Sequence, residues 1–126
     1  MLHHLTLWVP DLERAEESWT WLLGCLDYER DTAVGDKLLF RHPGGFSVVL
    51  EESTDMVPGM LYSRFRPGLN HLAFRLDGEM TLADLLAAAP DHGWSLMSSD
   101  GAHPIAGGAD VAYLEDRDGF EVELVR

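Results

Sequence analysis

Two stretches of the chain read as copies of one another, and that copy limits the fold more than any other feature. Leu2-His3-His4-Leu5-Thr6-Leu7 stands near the start and Leu69-Asn70-His71-Leu72-Ala73-Phe74 just past the middle. In each, apolar residues alternate with others at the period of a strand with one buried face, and a histidine takes the same place on the opposite face. The match resumes downstream, where Gly45-Phe46-Ser47-Val48-Val49-Leu50 lies on Gly119-Phe120-Glu121-Val122-Glu123-Leu124 without a gap. Under that register His4 corresponds to His71 and Val49 to Glu123. A symmetric four-ligand site would need a ligand at Val49, so the repeat offers three.

Residues between these landmarks complete one βαβββ module twice. A strand over 2–9 turns Leu5, Leu7 and Val9 to one face and His4, Thr6 and Trp8 to the other, and Pro10-Asp11 punctuates it. From Leu12 the spacing lengthens to a helical stripe of Leu12, Ala15, Trp19, Leu22, Leu23 and Leu26. Asp11 is its N-cap, Glu13, Glu16 and Glu17 sit where the helix dipole favours them, and Gly24 marks its stop. Strands are expected at 27–33, 37–42 and 46–52. Residues 53–67 lack periodicity and carry Pro58-Gly59 and Pro67, so they form a surface connection between modules 1–52 and 68–126 of a single 126-residue domain. The second module repeats the order, with a strand at 68–77 and a helix from about 81 that Thr81 and Asp84 cap and Pro90 ends early. Strands near 94–98, 109–115 and 119–125 follow, and a loop over 100–108 carries His103.

Composition narrows the partners. Nine Lys and Arg against 22 Asp and Glu give a formal charge of -13, which argues against non-specific binding to nucleic acid or to an anionic membrane. With no apolar run of spanning length and no signal-peptide pattern, the expected location is the cytoplasm. The only cysteine, Cys25, has no partner for an internal disulfide and reads as packing.

The duplicated module, with L-x-H-L-x-(apolar) opening each half and Asp116-Arg117-Asp118-Gly119-Phe120-Glu121-Val122-Glu123-Leu124 closing the second, resembles the vicinal oxygen chelate superfamily of glyoxalases, bleomycin-resistance proteins and extradiol dioxygenases. The resemblance covers nearly the whole chain. It implies an α+β fold in which two βαβββ modules form a curved, mostly antiparallel eight-stranded sheet with helices on the outside. It also points to His4, His71 and Glu123 as ligands of a divalent metal ion. The glyoxalase I pattern adds a Glu or Gln where this chain has Val49; a two-residue slip of the fourth strand would bring Glu51 to that face, so Glu51 stands in reserve. Relatives of this kind are often dimers, which implies a homodimer.

Two imidazoles and a carboxylate leave coordination positions open and suit Fe, Mn, Ni, Co or Zn. Such an ion chelates two adjacent oxygens of a small-molecule substrate and stabilises an enolate or alkoxide. The plain alternative is that each of the three is a polar residue on the wetter face of a sheet. Three at matching places in a repeat favour the ligand reading. The same face carries Thr6, Trp8, Arg75 and Val111 as candidate substrate contacts, and Tyr113, Glu121 and His103 as candidate proton donors or bases. His3, His42 and His92 are excluded as strand-start or turn residues. The expected function is a metal-dependent lyase, isomerase or ring-cleaving dioxygenase. The competing class is a bleomycin-resistance-like protein that sequesters a small molecule without chemistry.

Overall fold

A computed structural model describes residues 1–126, which divide into two compact units, Met1–Leu61 and Tyr62–Arg126. The boundary falls inside the 53–67 connection. All eight expected strands are present, four in each unit's own sheet, and both units follow the βαβββ order.

In the first unit, β1 (His4–Trp8), α1 (Leu12–Cys25), β2 (Glu29–Asp31), β3 (Leu38–Arg41) and β4 (Ser47–Glu51) give the sheet order β1-β4-β3-β2. β1 runs parallel to β4 and the other pairs are antiparallel. The helix starts where the sequence predicts, because the Asp11 carboxylate accepts from the Arg14 N–H at 2.9 Å and the Glu52 carboxylate accepts from the Leu12 N–H at 3.0 Å. Its apolar stripe buries Ala15, Trp19, Leu22 and Leu23, and Leu7, Val9, Leu38, Phe40, Val48 and Leu50 of the same unit are buried as well. β2 is shorter than its predicted 27–33, because Asp27 adopts a φ of 62° and the Asp31 carboxylate turns the chain by accepting from the Ala33 N–H at 2.9 Å.

The second unit repeats the plan with β5 (His71–Arg75), α2 (Leu82–Ala88), β6 (Ser95–His103), β7 (Ala109–Glu115) and β8 (Glu121–Val125), in the order β5-β8-β7-β6. Thr81 caps α2 by accepting from the Asp84 N–H at 3.1 Å. Pro90 ends it as expected, converting the last turn to a 3-10 segment over Ala89–His92 that Gly93 closes in the left-handed conformation. Phe74, Leu76, Leu85, Trp94, Ala112, Leu114, Phe120, Val122 and Leu124 are buried in this unit. β6 extends to His103, well past the predicted 98, so the loop shrinks to 104–108 and His103 ends a strand instead of riding a loop. The pairing of β6 with β7 is irregular between Leu96 and Ser98 and between Asp100 and His103, which removed the strict alternation from which a strand would be read.

The parallel strand pairs of the two units share one register. His4 pairs with Ser47 and Thr6 with Val49 in the first, as His71 pairs with Glu121 and Ala73 with Glu123 in the second. The slip that would have substituted Glu51 does not occur; Val49 holds the place of Glu123, and Glu51 forms an ion pair with Lys37 at 3.3 Å. No helix is long and apolar enough to cross a membrane.

Candidate functional site

The register of the second sheet decides which side chains meet. β5 and β8 are parallel with His71 beside Glu121 and Ala73 beside Glu123, while β7 sets Tyr113 against Glu123 and Glu115 against Glu121. Strand alternation therefore turns His71, Glu121, Glu123, Tyr113 and Glu115 to one face, and Phe74, Val122, Leu124 and Leu114 to the packed face. Ala73 is exposed and small, so β5 places no bulky side chain beside the Glu123 carboxylate.

Glu123 is the buried charge of this face, with its side chain 7% exposed, and its Oε2 lies 3.1 Å from His71 Nε2. A carboxylate removed from water to that degree needs compensating partners. The Tyr113 hydroxyl supplies another by hydrogen bonding to Glu123. Burial, followed by the Glu123 charge and that hydrogen bond, pushes the Tyr113 phenol above its ordinary value, so at neutral pH it is a proton donor. The Tyr113 ring meets His71 edge-on with centroids 5.9 Å apart, and its hydroxyl lies 3.4 Å from His103 Nε2. His103 Nδ1 is buried with no hydrogen-bond partner. His71, Glu123, Tyr113 and His103, all singled out from the sequence, thus form one contiguous group.

Glu121 is differently placed. Its carboxylate lies 3.1 Å from Nε of Arg64, whose Nη1 donates to Glu115 at 3.0 Å. The guanidinium occupies the lone pairs that a free general base would use, so Glu121 is bound in an ion-pair network. Sequence reasoning missed Arg64 because it lies in an aperiodic stretch. The available signal was charge balance: three carboxylates, Glu115, Glu121 and Glu123, share one half-buried sheet face and require a cation.

Asn70 was missed too. Its Nδ2 donates to the Arg64 carbonyl at 3.0 Å, and its Oδ1 lies 2.8 Å from His71 Nδ1. Tyr62 anchors the same segment by donating to the Leu69 carbonyl at 2.6 Å and stacking on Phe120 with centroids 4.1 Å apart.

The first unit presents less. His4 is exposed, with its Nδ1 2.8 Å from His3 Nδ1, and Thr6 and Trp8 are exposed beside it on β1. Arg75 is an exposed surface cation whose Nε forms an ion pair with Asp77 at 3.6 Å. Val111 is buried and lines a cleft of about 360 Å³ with Leu82, Leu86, Asp100 and Asp110, whose walls include neither His71 nor Glu123. His42 is more than a surface residue, because its Nδ1 accepts from the Gly44 N–H at 2.9 Å and its ring lies against Tyr28. Burial raises the Cys25 thiol above its ordinary value, which disfavours the thiolate.

No three His, Cys, Asp or Glu side chains are gathered as a complete metal cage. His71 Nε2 and Glu123 Oε2 nevertheless suit an ion as two of its ligands, since both are good donors to a borderline divalent metal and the far imidazole nitrogen is already engaged.

Comparison with known proteins agrees with the fold. A curated relative, the uncharacterized protein YqjT of Bacillus subtilis, is 29% identical over 126 residues, spanning 98% of this chain and 97% of its own length. The crystal structure of a proposed glyoxalase from Bacillus halodurans is 31% identical with a TM-score of 0.81, over 99% of this chain and 94% of the other. A glyoxalase/bleomycin resistance protein from Albidiferax ferrireducens shares the fold at 19% identity, with a TM-score of 0.76 over 98% of this chain and 96% of that one. The family model of the Glyoxalase/Bleomycin resistance protein/Dioxygenase superfamily matches residues 3–113, and the chain belongs to that superfamily.

Proposed function

We propose that the chain is a metal-dependent enzyme acting on a small molecule that carries two adjacent oxygens, by lyase, isomerase or dioxygenase chemistry. The observation that carries this reading is the convergence of His71 Nε2 and the buried Glu123 Oε2 at 3.1 Å, at places the repeat had marked. His71 and Glu123 would hold the ion, and His4 is the remaining imidazole that the repeat offers. A bound divalent ion supplies Lewis acidity, which lowers the proton affinity of a coordinated hydroxyl or water.

The chain's own residues supply the rest. Tyr113, kept protonated by its surroundings, donates a hydrogen bond to an oxygen that gains charge. His103 carries the proton-accepting capacity on this face, because Arg64 already neutralises Glu121. Arg75 offers an exposed counter-charge to an acidic substrate, and Trp8 an aromatic surface. The working form is a homodimer.

The test is metal content by elemental analysis after chelator-free purification, followed by calorimetric titration with Mn(II), Ni(II), Zn(II) and Fe(II). Wild type is expected to bind one ion per chain, with His71→Ala and Glu123→Val each weakening it at least about 100-fold. Equal, negligible binding in all three would sink the enzyme reading. That result would select the second reading, a binding protein without chemistry.

A further inference from the structure

His71 stands between two acceptors. Asn70 Oδ1 lies 2.8 Å from Nδ1, and Glu123 Oε2 lies 3.1 Å from Nε2. The orientation of the Asn70 amide decides what the ring must present, and that orientation is fixed from outside the site. The Arg64 carbonyl, 3.0 Å away, can only accept, so it is the NH₂ end of Asn70 that faces it. The amide oxygen is then left facing His71 and demands a proton on Nδ1. Arg64 is in turn held against the sheet by Glu115 and Glu121, and Tyr62 ties the same segment to the Leu69 carbonyl and to Phe120.

We infer that Asn70 is a positioning residue: oriented by the Arg64 carbonyl, it keeps the proton of His71 on Nδ1 and leaves Nε2 as the nitrogen that meets Glu123 and any ligand they share. A hydrogen bond at the far nitrogen is what selects the coordinating nitrogen of an imidazole and holds the plane of its ring. In the first unit the residue before His4 is His3, whose Nδ1 can donate or accept, so His4 has no such fixed partner. The assignment deepens the metal reading of His71 and rests on it for its purpose, but the proton's location is measurable without any metal.

The experiment is two-bond proton–nitrogen correlation NMR of the full chain at pH 8, above the ordinary imidazole range, with and without Zn(II). In zinc-loaded wild type His71 Nδ1 is expected to carry the proton; in the metal-free ring, where Glu123 competes for it at Nε2, Nδ1 is expected to be protonated to a greater extent than in Asn70→Ala. Asn70→Ala removes the acceptor, and the proton of the metal-free ring is expected to move to Nε2, where Glu123 receives it. Asn70→Asp keeps an acceptor for Nδ1 but loses the donor to the Arg64 carbonyl, so it is expected to restore the Nδ1 proton in part. Zinc affinity should fall about 10- to 100-fold in Asn70→Ala and recover in part in Asn70→Asp. A zinc-loaded wild-type Nδ1 without a proton, or a metal-free Asn70→Ala spectrum identical to that of wild type, overturns the assignment. If wild type takes up no zinc, the metal reading fails while the metal-free spectra still decide the role of Asn70. Asn70 is exposed, and an unchanged amide fingerprint confirms that the variants fold.

Discussion

The two units have the same skeleton and different polar faces. Their closing turns match bond for bond: His42 N–H donates to Phe46 O and Asp116 N–H to Phe120 O, each at 3.0 Å. Gly45 and Gly119 adopt φ of 94° and 85° at the same turn position, a region that a side chain would strain. A side chain then finishes the turn in both, His42 Nδ1 accepting from Gly44 N–H and Asp116 Oδ1 from Asp118 N–H, each at 2.9 Å. On the sheet face the correspondence fails. Val49 stands where Glu123 does, and Ser47 where Glu121 does. The repeat therefore preserves backbone and core, while a buried carboxylate on the sheet face, Glu123, stands in the second copy only.

If the skeleton is truly shared, equivalent core positions should respond alike. Leu50 and Leu124 occupy matching places in β4 and β8 and both are fully buried. Leu50→Ala and Leu124→Ala are each expected to cost ~2–5 kcal/mol in urea unfolding, through lost burial and the cavity left behind. A loss confined to one of them would break the comparison, because only one unit would then depend on that layer.

If the faces differ as described, their ion pairs should respond unequally. Arg64 is 16% exposed and neutralises two carboxylates, so Arg64→Met leaves Glu115 and Glu121 facing one another and should cost ~1–3 kcal/mol. Lys37 makes a single, more solvated pair with Glu51, and Lys37→Met should cost less than ~1 kcal/mol. Denaturant midpoints at low and high salt would sharpen the contrast, since screening weakens the Lys37 pair more.

How much of this the sequence carried follows from the same division. Strand periodicity exposed β1, β5, β7 and β8, and the gapless match of 45–50 with 119–124 set Val49 at the Glu123 position. The capping residues Asp11 and Thr81 and the breaker Pro90 were legible because each acts on its immediate neighbours. β6 was not, since irregular pairing erases the period-two signal, and His103 was accordingly assigned to a loop. Arg64 and Asn70 were hidden for another reason: their partners Glu115, Glu121 and His71 are fixed by tertiary register, and nothing local to residues 62–70 announces them.

The smallest expected effects concern pH, and they too divide between the units. In the second, the folded state holds the Tyr113 proton more tightly than the unfolded chain does, because burial and the Glu123 carboxylate disfavour the phenolate. The stabilisation this brings is complete below the ordinary value of 10.0 and disappears as pH rises through the raised folded value. Thermal unfolding from pH 8 to 11 should therefore fall less steeply in Tyr113→Phe than in wild type; identical slopes would mean that folding does not tighten the phenol's hold on its proton. In the first unit the sign is opposite. The hydrogen bond from Arg41, then that from the Ala33 N–H, holds the Asp31 carboxyl below its ordinary 3.8. Its contribution is complete above that value and is lost as pH falls through the lowered one, so Asp31→Asn should flatten the acid limb between pH 5 and about pH 2. Because Asp31 is solvated, the flattening should be slight and should shrink with added salt. An acid limb steeper in Asp31→Asn than in wild type would show that the Arg41 pair does not hold β2 to β3.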